Sequence, residues 1–324
     1  TNSNQNQKND VYLVTLDEAL SRADVFFAGT SSTRKTHSRS VKSVQYLNSD
    51  QKTRSLKDDI TNTLLYLVNY ENDEGFALLS GDKRTRAIYA IADEGELNLA
   101  DTVFNKGLSA FVDIVNIDLQ YAAANYPTAT QYGESIIIRK AQVGPLLKWP
   151  GPRYWGQGAP YNRYCFTQNG KQAVVGCTAI SIAQIMSWYA WPDHIGDEHI
   201  NWHTLKKFKG FHHDNALLFA RLGESDLLNM NYGETLSVAA YANYQRTFTR
   251  MGYLNPGSFK NFIESSVRVI LDGGDPVLVT ASEYGQNVGH SWVIDGYARN
   301  VVTEDNTISI DYNTTLFHCI WGWA

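Results

Sequence analysis

Cys177 is the residue of this 324-residue chain whose surroundings point most directly to chemistry. It follows Val174-Val175-Gly176 and opens an apolar pattern of helical period, which predicts a helix over 176–190. A thiol at a helix N-terminus lies near the positive end of the helix dipole and near unpaired N–H groups, which favour the thiolate. Cys177 is therefore a candidate nucleophile, although an isolated cysteine is more often a small buried apolar residue.

His290 is the candidate base, because it follows a glycine at the head of an apolar strand-like segment. A sheet would hold its imidazole firmly and could present it to a thiol on a neighbouring helix. The cysteine precedes the histidine in the chain, as in papain-like thiol peptidases, where a helix carries the thiolate and a sheet carries the imidazole. The alternative is that His290 is a buried core residue with no part in catalysis.

A thiol that attacks a carbonyl also needs hydrogen-bond donors for the oxyanion. The backbone N–H at the helix start would supply one, and a side-chain amide upstream commonly supplies another. Gln157, flanked by Gly156 and Gly158, lies in the loop before the helix. Gln172 is its competitor, since it is nearer to Cys177 in sequence.

The elements that must position these residues form two regions, each mixing helices and strands. In the first, Thr15 and Glu18 form a helix-capping pattern, and two apolar runs at 63–70 and 75–80 predict a hairpin. Residues 30–57 are polar and basic, which predicts a solvated loop or an anion-binding arm. In the second region a helical front half precedes a strand-rich back half. We therefore predict an α+β fold.

Several motifs resemble those of the streptopain family, the secreted bacterial papain-fold cysteine peptidases that include interpain. The segment from Gly176 to Met186 resembles the family's active-site helix, and Gly289 to Gly296 resembles its histidine strand. Trp321-Gly322-Trp323 is similar to its Trp-Gly-Trp run, and Gly75 to Arg84 is similar to its propeptide hairpin. The resemblance covers most of residues 10–324 and implies a papain-like α+β fold, with a helical part and an antiparallel sheet, behind a small α+β propeptide domain.

The resemblance also implies roles for individual residues. Cys177 would be the nucleophile, His290 the general acid and base, and Gln157 an oxyanion-hole donor, while Trp321 and Trp323 would orient the histidine. It implies a cysteine endopeptidase zymogen, with an inhibitory propeptide at 10–140 that is cleaved within about 128–145 and a peptidase domain at 141–324. The Asn- and Gln-rich residues 1–9 predict a disordered leader ahead of them. The family pattern continues past the Trp-Gly-Trp run, so we expect a C-terminally short peptidase domain.

Composition and charge limit the possible partners. A net charge of −5 argues against a nucleic-acid binder, and no apolar stretch approaches the roughly 20 residues of a membrane span. The N-terminal residues contain no apolar signal-peptide core, so either no signal peptide existed or it has been removed. The resemblance to the streptopain family implies a secreted, cell-surface or periplasmic bacterial protein, with the signal peptide absent from this chain. The expected partners are protein or peptide substrates and the chain's own propeptide, which would act as an intramolecular inhibitor.

Two further readings compete with this interpretation. The histidines of the loop-rich stretch 193–215 could bind a metal, but their spacing fits no ligand pattern, so we predict a solvated loop, no metal site and no cofactor.

Ile320 replaces the asparagine that usually precedes the Trp-Gly-Trp run. This departure favours an alternative function, a catalytically silent papain-fold relative that acts as a surface binding or inhibitory protein.

Overall fold

A computed structural model divides the chain between Lys140 and Ala141 into two compact units. It describes residues 12–30, 39–48, 53–55, 63–83, 85, 87–98, 106–125, 144, 147, 149–208, 212–282, 289–299 and 315–322. The predicted leader at 1–9 and the predicted cleavage region lie outside these residues, apart from Gly144. The proposed limits of propeptide and peptidase stay predictions.

The first unit is built on a five-stranded antiparallel sheet in the order β2-β1-β3-β4-β5. The predicted hairpin is β3 and β4, in which Leu67 lies opposite Leu78. Successive side chains of a strand point to opposite faces. Tyr66 and Val68 accordingly join Phe27 of α1 in one core cluster. The elements are α1 (Leu16–Thr30), β1 (Val41–Asn48), β2 (Thr53–Ser55), β3 (Thr63–Tyr70), β4 (Phe76–Ser80), β5 (Ile88–Ala92) and α2 (Lys106–Asn125).

The prediction of a loop over residues 30–57 is wrong, because this stretch contains β1 and β2. Val44 and Tyr46 of β1 are buried, so every second side chain contributes to the core despite the polar composition. Two basic residues of the stretch that the structure describes pair with acidic ones, Arg39 with Asp93 and Lys42 with Glu96. Arg34, Lys35, Lys52 and Lys57 lie outside the described residues, so the anion-binding arm stays a prediction for them.

The second unit surrounds a central helix, α4, whose residues from Thr178 to Ser187 are all buried. A helix that is buried on every side belongs to the centre of a domain. Beside it lies a three-stranded sheet in the order β10-β9-β8, in which Thr280 pairs with Ser291 and Ala281 with His290. The elements are α3 (Pro150–Arg153), α4 (Cys177–Tyr189), β6 (His194–Ile195), β7 (Glu198–His199), α5 (Trp202–Lys207), α6 (His213–Leu222), α7 (Ala242–Arg250), α8 (Glu264–Asp272), β8 (Val277–Ser282), β9 (Gly289–Arg299) and β10 (Thr315–Ile320).

Strand β9 contributes to two different cores. Val293 packs in the cluster around α4, together with Ile320 of β10. Its neighbour Ile294 packs instead with Val267 and Leu271 of α8. The sheet is therefore covered by α4 on one face and by α8 on the other, which fixes β9 in place with its first residues at the start of α4.

Candidate active site

Cys177 is the first residue of α4, as the sequence predicts. The preceding Gly176 has φ +92°, and a Cβ there would lie 3.1 Å from the carbonyl oxygen of Ser237, so both the backbone conformation and the space favour glycine. The loop before the helix is held by backbone hydrogen bonds, since the Val175 N–H donates to the Gln157 carbonyl at 2.9 Å. These constraints place the half-buried thiol at the positive end of the helix.

The sulfur of Cys177 contacts the histidine strand directly. The backbone N–H of Ser291, the residue after His290, donates to the sulfur at 3.3 Å. Ser181, one turn into α4, places its hydroxyl oxygen 2.8 Å from the Cys177 carbonyl and 2.9 Å from the Ser291 carbonyl. The structure therefore brings the start of the nucleophile helix and the head of the histidine strand together.

The imidazole of His290 is buried beside two indole rings that contact each other, and it is hydrogen-bonded to a carbonyl. Its ring is stacked with those of Trp292 and Trp321, at centroid distances of 6.0 and 6.1 Å. Its Nε2 lies 2.9 Å from the Trp321 carbonyl oxygen. Because a carbonyl only accepts, Nε2 carries the hydrogen, and in the neutral ring Nδ1 is then the basic nitrogen.

Burial favours the neutral forms of both side chains. It lowers the pKa of His290 to about 4, and the hydrogen bond to Trp321 acts in the opposite direction. Burial also raises the pKa of the Cys177 thiol, against the donors of Ser291 and Thr178, which lower it. Both shifts favour a neutral thiol and a neutral imidazole, and a neutral imidazole is a base that can accept a proton.

The two candidate glutamines have different surroundings. Gln172 uses its amide nitrogen to donate to the carbonyls of Asn162 and Cys165, so both of its hydrogens are committed to the loop. Gln157 is linked through its own carbonyl to Val175, two residues before Cys177, and its side chain is partly exposed. These surroundings leave the Gln157 side chain as the more available donor, and its role in the oxyanion hole stays a prediction.

Contacts of Trp321 go beyond what the sequence indicated. The sequence pointed to its indole, whereas the structure adds its backbone carbonyl as the hydrogen-bond partner of His290. Trp323 lies outside the described residues, so its predicted role stays a prediction. No sequence signal identifies a backbone carbonyl as a partner, because every residue carries one.

Asp295 lies on the same strand as His290, five residues later. Asp295 is fully buried and bonds His318 of β10 and the backbone N–H of Leu147, so it is committed away from His290. All three cysteines, Cys165, Cys177 and Cys319, are free thiols.

The histidine-rich stretch is more ordered than the predicted loop. His199 lies in β7, His203 in α5, and His212 caps the N-terminus of α6. The described residues contain no group of three or more His, Cys, Asp or Glu side chains that could hold a metal ion. Within the same residues, no helix is long and apolar enough to cross a membrane.

A sequence profile of the Peptidase C10 family matches residues 155–218 and 194–324, which together make up more than half of the chain. The chain belongs to the peptidase C10 family. It is a cysteine endopeptidase, which confirms the prediction made from the streptopain-like motifs. A second profile, that of the Spi protease inhibitor, matches residues 12–118. This C10 peptidase therefore carries an inhibitor-like propeptide domain ahead of the peptidase, the organisation of a zymogen.

Relatives of this C10 peptidase agree with the assignment. Streptopain of Streptococcus pyogenes serotype M1 is 24% identical, over 83% of this chain and 74% of the relative. The thiol protease/hemagglutinin PrtT of Porphyromonas gingivalis is 21% identical, over 81% of this chain and 33% of the relative. The solved structure of a prointerpain A fragment from Prevotella intermedia superposes with a TM-score of 0.57 at 18% identity, covering 87% of this chain and 89% of the fragment. That superposition confirms the predicted papain-like α+β fold.

Proposed function

We propose that peptide hydrolysis proceeds through Cys177 as nucleophile and His290 as general acid and base. The observation that carries this proposal is the hydrogen bond from the Ser291 N–H to the Cys177 sulfur, which brings the thiol to the residue beside His290. A nucleophile and a base on two elements held against each other form the minimal unit of thiol catalysis.

The reaction starts from the neutral pair. The thiol proton passes to Nδ1 of His290, and the sulfur attacks the substrate carbonyl to form a tetrahedral intermediate. The Cys177 backbone N–H and the Gln157 side-chain amide donate to the oxyanion. His290 then protonates the leaving amine, and the resulting thioester is hydrolysed by a water molecule that His290 deprotonates.

Trp321 serves this cycle through two groups. Its carbonyl accepts from Nε2–H, which keeps the hydrogen on that nitrogen and leaves Nδ1 for catalysis. Its indole covers one side of the imidazole and limits the access of water. Trp323 would add to this cover, as the family resemblance implies.

Residues 10–140 are proposed to inhibit the peptidase until the chain is cut within about 128–145. The match of residues 12–118 to an inhibitor family supports this role. The substrates are proposed to be proteins and peptides. The site of action is proposed to be outside the bacterial cytoplasm, on the strength of the resemblance to secreted peptidases.

Substitution of the nucleophile tests the assignment. The Cys177→Ala chain should neither mature in the presence of reductant nor hydrolyse peptides, while Cys165→Ala should do both. N-terminal sequencing of the incubated wild-type chain would locate the cut. Self-maturation of the Cys177→Ala chain would contradict the proposal.

Thiol labelling separates the active enzyme from a catalytically silent relative. After removal of the propeptide, an iodoacetamide-type reagent should modify Cys177 much faster than before. Equally slow labelling of both forms would favour the silent relative.

A further inference from the structure

A cluster of buried hydroxyl groups lies beside the candidate nucleophile and is not used by the proposed mechanism. Thr178, the residue after Cys177, places its hydroxyl 2.7 Å from that of Tyr244 on α7 and 3.3 Å from that of Ser291 on β9. Ser291 in turn donates to the Thr280 hydroxyl on β8 at 3.2 Å. The cluster therefore joins four elements, α4, α7, β8 and β9, near the reacting sulfur.

These hydroxyls occupy positions that an apolar core could have filled. Thr178, Tyr244 and Ser291 are all more than 95% buried. Removing a hydroxyl from water costs free energy unless a partner replaces the lost hydrogen bonds. In this cluster the partners belong to different elements, so the bonds are satisfied only when α4, α7 and β9 are in register. Such a cluster specifies one arrangement more sharply than apolar contacts do.

The cluster acts on the residue whose backbone contacts the nucleophile. Ser291 presents its side chain to Thr178, its carbonyl to Ser181 and its N–H to the Cys177 sulfur. A donor at the sulfur stabilises the thiolate that forms before attack and again when the thioester breaks. The Ser291 and Thr178 donors also oppose the effect of burial on the pKa of Cys177.

We propose that Thr178 and Tyr244 are positioning residues for the peptidase reaction: through Ser291 they fix the N–H group that donates to the Cys177 sulfur. This inference rests on the proposed role of Cys177. It assigns the two hydroxyls no contact with substrate. Their loss should therefore lower kcat and leave KM nearly unchanged.

The test uses the full chain after maturation, with the active-site concentration determined by titration with a thiol reagent. Thr178→Val removes the hydroxyl at nearly constant volume, and kcat should fall about tenfold, equivalent to about 1.4 kcal/mol in the barrier. Thr178→Ser keeps the hydroxyl and should restore kcat. Thr247→Val is the matched control, because Thr247 is equally buried and its hydroxyl donates only within α7, to the Asn243 carbonyl at 2.7 Å.

Tyr244→Phe provides an independent second variant. It should lower kcat to a similar degree, and the double variant with Thr178→Val should lose little more, since both hydroxyls act through one contact. Three results would each overturn the inference: wild-type kcat in Thr178→Val, an equal loss in Thr178→Ser, or fully multiplicative losses in the double variant.

The Cys177→Ala chain distinguishes failure of this inference from failure of the proposed function. If that chain is inactive while Thr178→Val behaves like wild type, only the positioning role is wrong. If the Cys177→Ala chain hydrolyses peptides, the proposed function is wrong.

Discussion

Buried polar side chains serve different purposes in the two units. In the first unit they connect segments that are near in sequence. The Asn69 side-chain amide donates to the Leu97 carbonyl and accepts from the Leu97 N–H, 28 positions away, both at 2.8 Å. In the second unit, Thr178 reaches Ser291, 113 positions away, beside the candidate nucleophile. Desolvated polar groups are costly in both places. In the first unit such bonds stabilise the fold, and in the second unit we propose that they also hold the reactive groups in register.

The largest effect should come from the histidine. His290→Ala removes the base, and kcat/KM should fall by about 10³-fold or more. The control is His318→Gln, because His318 lies in the same sheet but bonds Asp295, on the far side of β9 from the site. Steady-state hydrolysis of a fluorogenic peptide measures both. Comparable losses in the two variants would mean that the whole sheet, rather than one residue of it, carries the chemistry.

The oxyanion donor should have the next largest effect. Gln157→Ala should lower kcat by about 10²-fold, as the loss of one donor to an oxyanion does. Gln172→Ala should alter the stability of the loop more than kcat, since its amide donates to the backbone carbonyls of Asn162 and Cys165. Measured kcat and thermal midpoints for the pair decide between the two glutamines. A larger loss of kcat in Gln172→Ala would reverse our assignment.

Acid should destabilise the second unit through His290. The folded chain lowers the pKa of His290 to about 4 from 6.5. Between these values the unfolded chain binds the proton and the folded chain does not, so the free energy of unfolding falls as the pH falls. The loss should total about 3 kcal/mol and cease below about pH 4. Denaturant titrations at several pH values give the free energy of unfolding of wild type and of His290→Gln. Between pH 6.5 and 4 this free energy should fall more steeply with falling pH in wild type, and an equal dependence on pH in both chains would contradict the shift.

The smallest effect is expected in the first unit, at the cap of α1. The Thr15 N–H donates to Glu18 at 2.8 Å, and the Glu18 N–H donates to the Thr15 hydroxyl at 3.2 Å. Thr15→Ala should cost about 1 kcal/mol of stability. Because Thr15 lies in the proposed propeptide, the measurement uses the uncleaved chain in a Cys177→Ala background, where denaturant titration should show this loss. An unchanged free energy of unfolding would contradict the role of the cap.

Local patterns predicted the elements that depend on local rules. The capping pair at Thr15 and Glu18 begins α1, the apolar runs form the hairpin of β3 and β4, and Gly176-Cys177 begins α4. The loop predicted over 30–57 is wrong, because the formation of β1 depends on its two neighbouring strands, β2 and β3. Sequence composition does not reveal such partners.

The candidate residues of the site could be proposed from residue types and order, since a cysteine after glycine at a helix start and a histidine heading a strand are local features. The contacts that organise the site were not. The Ser291 N–H on the sulfur, the Trp321 carbonyl on His290 and the hydroxyl cluster of Thr178 join residues distant in the chain. Backbone groups and small hydroxyls are present everywhere in a sequence, and only packing selects which of them meet.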